Sequence, residues 1–305
     1  MLLSRADSLL PDLAIACASG GFKGVFVHGV VSVLERAGLR AAAYAGASSS
    51  VVCAGCGVTG LANTLGLTYW EGALDLARQP GNGMSEVVLG CIARWSPVLR
   101  PHFAWPHSPR LLIAASAVCT PEGTAQTQGP GARALGRRLL VQAARRDGAW
   151  AAAHLRLSLF DSAAKDPALR LTAERFDAVA YASTRMLHAW SIPAWVEGAP
   201  FIDASYTCAC PALELAAAGY TTVLAISPEP GPVYHDLFAA DPLPPLYGAA
   251  RIQVIQPRRD LQELGVDFTT ATVEGLRAAY AHGEAQARAF LEVAGIATTG
   301  SEAAS

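Results

Sequence analysis

Leu13-Ala14-Ile15-Ala16-Cys17-Ala18-Ser19-Gly20-Gly21-Phe22-Lys23-Gly24 runs from an unbroken apolar stretch into a glycine-rich turn. The apolar part predicts a buried strand, and Val25 to Ala37 behind the turn has the residues of a helix. The same order recurs at once: Ala41 to Ala45 predicts a second strand, Gly46-Ala47-Ser48-Ser49-Ser50 a sharp small-residue corner, and Ser49 to Cys56 another helix. Strand, tight turn and helix in repeated succession predict a mainly parallel sheet flanked by helices, with the reactive loops at the C-terminal edge of the strands.

The rest of the chain continues the alternation. Leu111 to Cys119, Leu155 to Phe160, Thr221 to Ser227 and Arg251 to Gln256 are apolar runs bounded by turn residues, each predicting a strand. Leu61 to Arg78, Ala132 to Asp147, Ala173 to Ala182, Ala209 to Ala218 and Ala271 to Ala294 space their apolar residues for helices. No Pro/Ser/Gly linker divides the 305 residues, so the expected organisation is a lead segment 1–10, one α/β domain over 11–297 and a polar tail 298–305. Hydrophobic residues make up 52% and charged residues 16%, which favours a large core over disorder. A net charge of −2 gives no electrostatic reason to expect nucleic acid as a partner.

No charged residue lies between Arg40 and Glu71, long enough to pose the question of a membrane span. Ser48, Ser49, Ser50, Thr59, Asn63 and Thr64 interrupt it, so a buried strand, corner and helix is the expected form. Met1 to Leu10 holds too short an apolar stretch for a secretory signal, with Asp7 inside it; the expected compartment is the cytoplasm. Seven cysteines then predict reduced, packed thiols. Cys53-x-x-Cys56 and Cys208-x-Cys210 raise a four-thiolate metal site as a weaker alternative, and the expectation is no metal and no cofactor.

A serine on a strand-to-helix corner has its hydroxyl exposed on a strained backbone, and a helix behind it points free N–H groups at developing negative charge. A glycine loop after a strand also suits a phosphate site. However, Gly20-x-x-x-Gly24 lacks the G-x-G-x-x-G order, and no acidic residue ends the second strand.

The turn at 19–24, the corner at 46–50 and Asp203-Ala204-Ser205 together resemble the patatin-like phospholipase family, whose members carry Gly-Gly-Gly-x-Arg/Lys-Gly, Gly-x-Ser-x-Gly and Asp-Gly-Gly or Asp-Gly-Ala in that order. Further similarity lies in Gly29 to Gly38 with Leu34-Glu35-Arg36-Ala37-Gly38, in Cys119-Thr120-Pro121-Glu122-Gly123, in Ala182-Ser183 through Pro193, in Phe201-Ile202 with Pro211 and Ala216 to Ile226, and in Phe268 to Leu291. The resemblance implies a patatin-like three-layer sandwich and a serine acyl hydrolase of the phospholipase A type working through a Ser-Asp dyad. Ser48 would be the nucleophile, Asp203 its base without a histidine, and the N–H groups of Gly20, Gly21 and Phe22 the oxyanion hole. Losing one such donor typically costs about 3 kcal/mol of transition-state stabilisation. The implied substrate is an acyl lipid or another acyl ester or thioester, with peripheral contact to a membrane or an acyl carrier. The same dyad would also serve an acyltransferase, and an inactive relative would only bind an acyl ligand.

Ser19, Ser50 and Ala204-Ser205 depart from the family's glycines, each adding a Cβ. At positive φ each would cost on the order of 1 kcal/mol or more. Gly46 and Gly24 keep the pattern, and Lys23 stands where the family has Arg or Lys, with a surface or helix-end charge as the plainer reading. The order Ser48, Asp203, His235 also fits the triad of α/β-hydrolases, whose serine normally follows more strands than the two found here. His28, His102, His107, His154, His188 and His282 show no metal-ligand spacing and read as structural or solvent-facing. The segment from about Thr64 to Pro109, with Trp70, Trp95, Phe103 and Trp105, reads as an acyl-chain wall or lid, or equally as core. Arg133, Arg137, Arg138, Arg145 and Arg146 read as a solvated helix face, or else as a surface for an anionic partner.

Overall fold

Side chains alternate across the first strand. Ile15 and Cys17 join one large core, while Ala14, Ala16 and Ala18 face a second, thinner one. A strand buried on both sides has to be continuously apolar, and from Leu13 onward this one is. The computed structural model describes residues 10–101 and 107–294. The lead segment up to residue 9 and the tail 298–305 lie outside them, and Leu10 already belongs to the first strand.

In chain order the elements begin with β1 (Leu10–Cys17), α1 (Gly24–Arg36), β2 (Ala41–Ala47), α2 (Val51–Thr59), α3 (Ala62–Ala77), α4 (Met84–Leu99) and β3 (Arg110–Val118). There follow α5 (Pro121–Gln128), α6 (Ala132–Ala144), α7 (Ala149–His154), β4 (Leu155–Asp161), α8 (Phe176–Thr184), β5 (Ala194–Val196) and β6 (Ala199–Ile202). The chain closes with α9 (Ala212–Ala217), β7 (Thr222–Ile226), β8 (Leu246–Tyr247), β9 (Ala250–Ile255) and α10 (Val273–Val293). The sheet runs β5-β6-β3-β2-β1-β7-β9-β8, with β4 also paired to β3. Its centre, β3-β2-β1-β7-β9, is parallel throughout, and β4, β5, β6 and β8 pair antiparallel at the margins. Helices cover both faces, making a single three-layer α/β sandwich.

The parallel centre puts the ends of β1 and β2 side by side, with Cys17 opposite Gly46. The glycine turn after β1 and the serine corner after β2 therefore emerge at the same edge. Every residue of α1 from Gly24 to Leu34 is buried, because α1 packs against α2, α3 and α10 and shares the large core with Ile15 and Cys17 of β1. Burying each Val, Leu or Phe side chain in that layer stabilises the fold by roughly 1.5–3 kcal/mol, so the turn at its N-terminus sits on a rigid support.

Candidate active site

At Ala47 the backbone is still extended (φ −123°, ψ 136°), and at Ser48 it turns to φ +54° before entering α2 through one 3-10 turn. A left-handed serine costs on the order of 1 kcal/mol or more, and such strain persists only where the surroundings hold it. Gly46 allows the sharp return. A Cβ there would lie 2.8 Å from Val51 Cα and 3.0 Å from the Ser50 carbonyl oxygen. The Ser48 N–H donates to Ser183 Oγ (2.9 Å), which ties the corner to the end of α8.

Ser48 Oγ donates to Asp203 Oδ2 across 2.7 Å, and both residues are buried. The other carboxylate oxygen, Oδ1, accepts the Ser205 N–H at 2.8 Å. Asp203 is gripped through its backbone as well. Its N–H donates to the Arg185 carbonyl (2.9 Å), and its carbonyl accepts Ser116 Oγ from β3 (2.7 Å). Burial pushes the Asp203 carboxyl up to about 6, against the opposing pull of the hydrogen bonds from Ser205 and Ser48. Above that pH the group is an anion with few donors, suited to taking a proton from a neighbouring hydroxyl.

The glycine turn lies beside this pair. Gly21 has φ +58°, and a Cβ there would stand 2.0 Å from the Phe268 carbonyl oxygen, so both conformation and space require glycine. The Phe22 N–H, expected as an oxyanion donor, donates instead to the Phe268 carbonyl (3.0 Å), which corrects the expectation for that residue. Gly20 and Gly21 remain as the candidate donors. Lys23 stands at a helix end, closing the 3-10 turn and capping α1, but it is not a surface charge: it is buried, with Nζ 2.9 Å from Glu229 Oε1 and 2.9 Å from Asp260 Oδ1. These pairs fasten the turn to the segments that follow β7 and β9.

The departures from glycine cause no positive-φ strain, contrary to the cost expected for them. Among the described non-glycine residues only Ser48, Arg146 and Glu197 have positive φ. Ser50 sits at φ −79°, ψ 2°, and Ala204 and Ser205 form a short 3-10 turn capped by Asp203. The strain is concentrated on the serine itself.

His235 is no part of a triad. Its Nε2 lies 2.7 Å from Glu214 Oε1 and its Nδ1 3.2 Å from Asp236 Oδ2, while the Asp203 carboxylate is bonded to Ser48 and Ser205. His28 is buried in α1, where Nδ1 accepts the Trp70 Nε1–H (3.1 Å), and burial pushes it down to about 4, so it is a neutral structural group. Among the described residues the two cysteine pairs do not converge into one thiolate cluster.

A narrow apolar channel of about 70 Å³ leads away from Ser48 between α3, α4 and α8, walled by Trp70, Val87, Ile92, Trp95, Phe176 and Trp190 among others. Trp70 and Trp95 thus stand where an acyl-chain wall was expected; Phe103 and Trp105 lie outside the described residues. On the other side of the glycine turn is a wider cavity of about 440 Å³, bordered by Ser19, Gly20, His188, Ser205 and Glu229. Arg133, Arg137, Arg138, Arg145 and Arg146 are exposed on and after α6, and Arg146 stacks on Tyr234 at the rim of that cavity (4.1 Å to the ring centre).

Ser183, Ser116 and Phe268 hold the site's backbone, and none was singled out from the sequence for that role. Ser183 fell inside the family-like segment beginning at Ala182. Phe268 opens the family-like segment that runs to Leu291, while Ser116 carries no local signal, because its partners Asp203 and Thr207 are distant in sequence. No family model matches the chain, and no curated protein matches it.

Proposed function

We propose that the chain is a patatin-like serine acyl hydrolase that cleaves a lipid or other acyl ester, or a thioester, through a Ser48–Asp203 dyad. The observation that carries the reading is the 2.7 Å hydrogen bond from Ser48 Oγ to Asp203 Oδ2, made by a serine at φ +54°.

In the first half-reaction Ser48 Oγ attacks the acyl carbonyl carbon while its proton passes to Asp203 Oδ2. The oxyanion forms beside Gly20 and Gly21, and collapse of the tetrahedral adduct expels the alcohol or thiol, which takes the proton from Asp203. In the second, Asp203 takes a proton from water, the hydroxide adds to the acyl-Ser48 carbonyl, and the acid leaves as Ser48 Oγ regains its proton. The apolar channel receives the acyl chain, and the wider cavity receives the leaving group.

One observation favours an acyl-binding protein without turnover: the Phe22 N–H is spent on Phe268. Against it, simple binding gives no reason to hold a seryl hydroxyl on a buried carboxylate at a strained φ. Turnover of p-nitrophenyl esters, phospholipids and acyl thioesters by the wild-type chain and by Ser48→Ala decides. The expected result is hydrolysis of at least one class that Ser48→Ala abolishes. If the folded wild-type chain matches the variant on every substrate, the hydrolase reading is wrong.

A further inference from the structure

We propose that Cys208, Glu214 and His235 form a zinc site that clips the Asp203-bearing loop to the segment following β7. The three donors come from separate places: Cys208 from the loop after Asp203, Glu214 from α9, and His235 from beyond β7. Their ligand atoms all lie within 4.8 Å of one another. Cys208 Sγ is 3.6 Å from Glu214 Oε2, and His235 Nε2 is 2.7 Å from Glu214 Oε1. Zinc bonds of about 2.3 Å to sulfur and 2.0–2.2 Å to nitrogen or oxygen place tetrahedral donors roughly 3.3–3.6 Å apart. The Cys–Glu spacing, made through Oε2, already suits the ion, and the Glu–His spacing, made through Oε1, has to open by less than about 1 Å, so the carboxylate binds through both oxygens or turns to present one.

The imidazole is set up for a cation. Asp236 Oδ2 faces Nδ1 at 3.2 Å, the carboxylate–histidine pairing that holds metal-bound rings in one tautomer and one orientation. With its single proton on Nδ1, a neutral ring points a lone pair from Nε2 at the Glu214 carboxylate, which is itself an acceptor. That contact needs a positive charge between or on the partners: without an ion the imidazolium supplies it by donating to both carboxylates, and a metal ion bound at Nε2 would take the place of that proton. A thiolate and a carboxylate together balance the two charges of the ion. Thiolate with imidazole favours zinc over magnesium or calcium, which prefer an all-oxygen shell. Water would complete the fourth corner.

The position suggests a bracing role. The N–H groups of Ala209 and Cys210 donate to the His235 carbonyl (2.5 and 3.2 Å), and the Leu237 N–H donates to the Ser205 carbonyl (3.0 Å). The Ser19 N–H donates to the Ala209 carbonyl (2.8 Å), so the same loop also supports the glycine turn. An ion at Cys208 would stiffen the connection between the dyad's carboxylate and the oxyanion loop.

The test uses the untagged full chain, stripped with chelator and titrated with Co²⁺ and then Zn²⁺. One cobalt per chain is expected, with thiolate-to-cobalt charge-transfer absorption in the near ultraviolet and tetrahedral bands in the visible, all displaced by zinc. Cys208→Ser should abolish the charge-transfer band and Cys210→Ser should keep it. Asp236→Asn should keep the band while weakening affinity roughly ten- to a hundredfold. Zinc should raise the Tm of the wild-type chain and not that of His235→Asn. Should Cys208→Ser fail to fold, Glu214→Gln and His235→Asn, on different elements, make the same comparison. A folded wild-type chain without the thiolate–cobalt band, or a band that survives Cys208→Ser in folded protein, overturns the site.

Discussion

Asp203→Asn separates the chemistry of the dyad from its stability. The wild-type carboxyl is buried and pushed up to about 6 from an ordinary 3.8, a difference worth roughly 3 kcal/mol once the group is ionised in the fold. The sign follows from proton counts. Between pH 3.8 and about 6 the native chain holds a proton that the unfolded chain has released, so this residue's contribution to stability falls as pH rises through that window. About half of the loss, roughly 1.5 kcal/mol, comes between pH 5 and pH 8. Asparagine keeps an oxygen for the Ser205 N–H and an amide for Ser48 Oγ but has nothing to ionise. Urea unfolding near pH 5 and pH 8 should therefore show the wild-type chain losing about 1.5 kcal/mol relative to the variant, while ester turnover drops about a hundred- to ten-thousandfold in the variant. A variant that keeps wild-type turnover, or a stability difference that does not change with pH, refutes a buried carboxylate acting as base.

Wild-type turnover should fall as pH drops through about 6, where Asp203 takes up a proton; a profile flat to pH 4.5 contradicts this. Gly21→Ala forces a Cβ at φ +58° to within 2.0 Å of the Phe268 carbonyl oxygen and should lower kcat by at least about tenfold, along with a lower Tm. Ala73→Trp, in the channel wall on α3, should cut kcat/KM for laurate esters far more than for acetate esters; equal losses on both would remove the channel as the acyl site. His235→Ala should leave turnover within about tenfold of wild type, because its nitrogens contact Glu214 and Asp236 and not the dyad; a loss as deep as that of Asp203→Asn would point to a histidine relay.

The parallel core was legible because its strands announce themselves one at a time. The runs at Leu13, Ala41, Leu111 and Thr221 became strands largely buried on both faces, which must be apolar, while those at Leu155 and Arg251 became half-buried strands nearer the sheet's margins, with Arg156, Arg251 and Gln253 on exposed positions. The short marginal strands β5, β6 and β8 were missed: Ala194–Val196, Ala199–Ile202 and Leu246–Tyr247 are too brief for a period to show, and their pairing depends on distant partners. α4 lies within the segment whose aromatics suggest an acyl-chain wall, a lid or core, with no helix expected there, yet it is a helix with Pro97 inside it and its apolar face lines the channel. Ser48 and Asp203 could be singled out by their local context, but their 2.7 Å approach depends on the whole sheet bringing the end of β2 to the loop after β6. The loss of the Phe22 N–H to Phe268 lay beyond local reading for the same reason: the carbonyl arrives from just before α10.

The most direct measurement is the intact mass and peptide map of the folded chain after treatment with a fluorophosphonate, which captures only an activated serine. One adduct per chain on Ser48, absent from Ser48→Ala and strongly slowed in Asp203→Asn, is the expected result. Folded protein that stays unlabelled, or labels on another serine, contradicts a Ser48–Asp203 nucleophile.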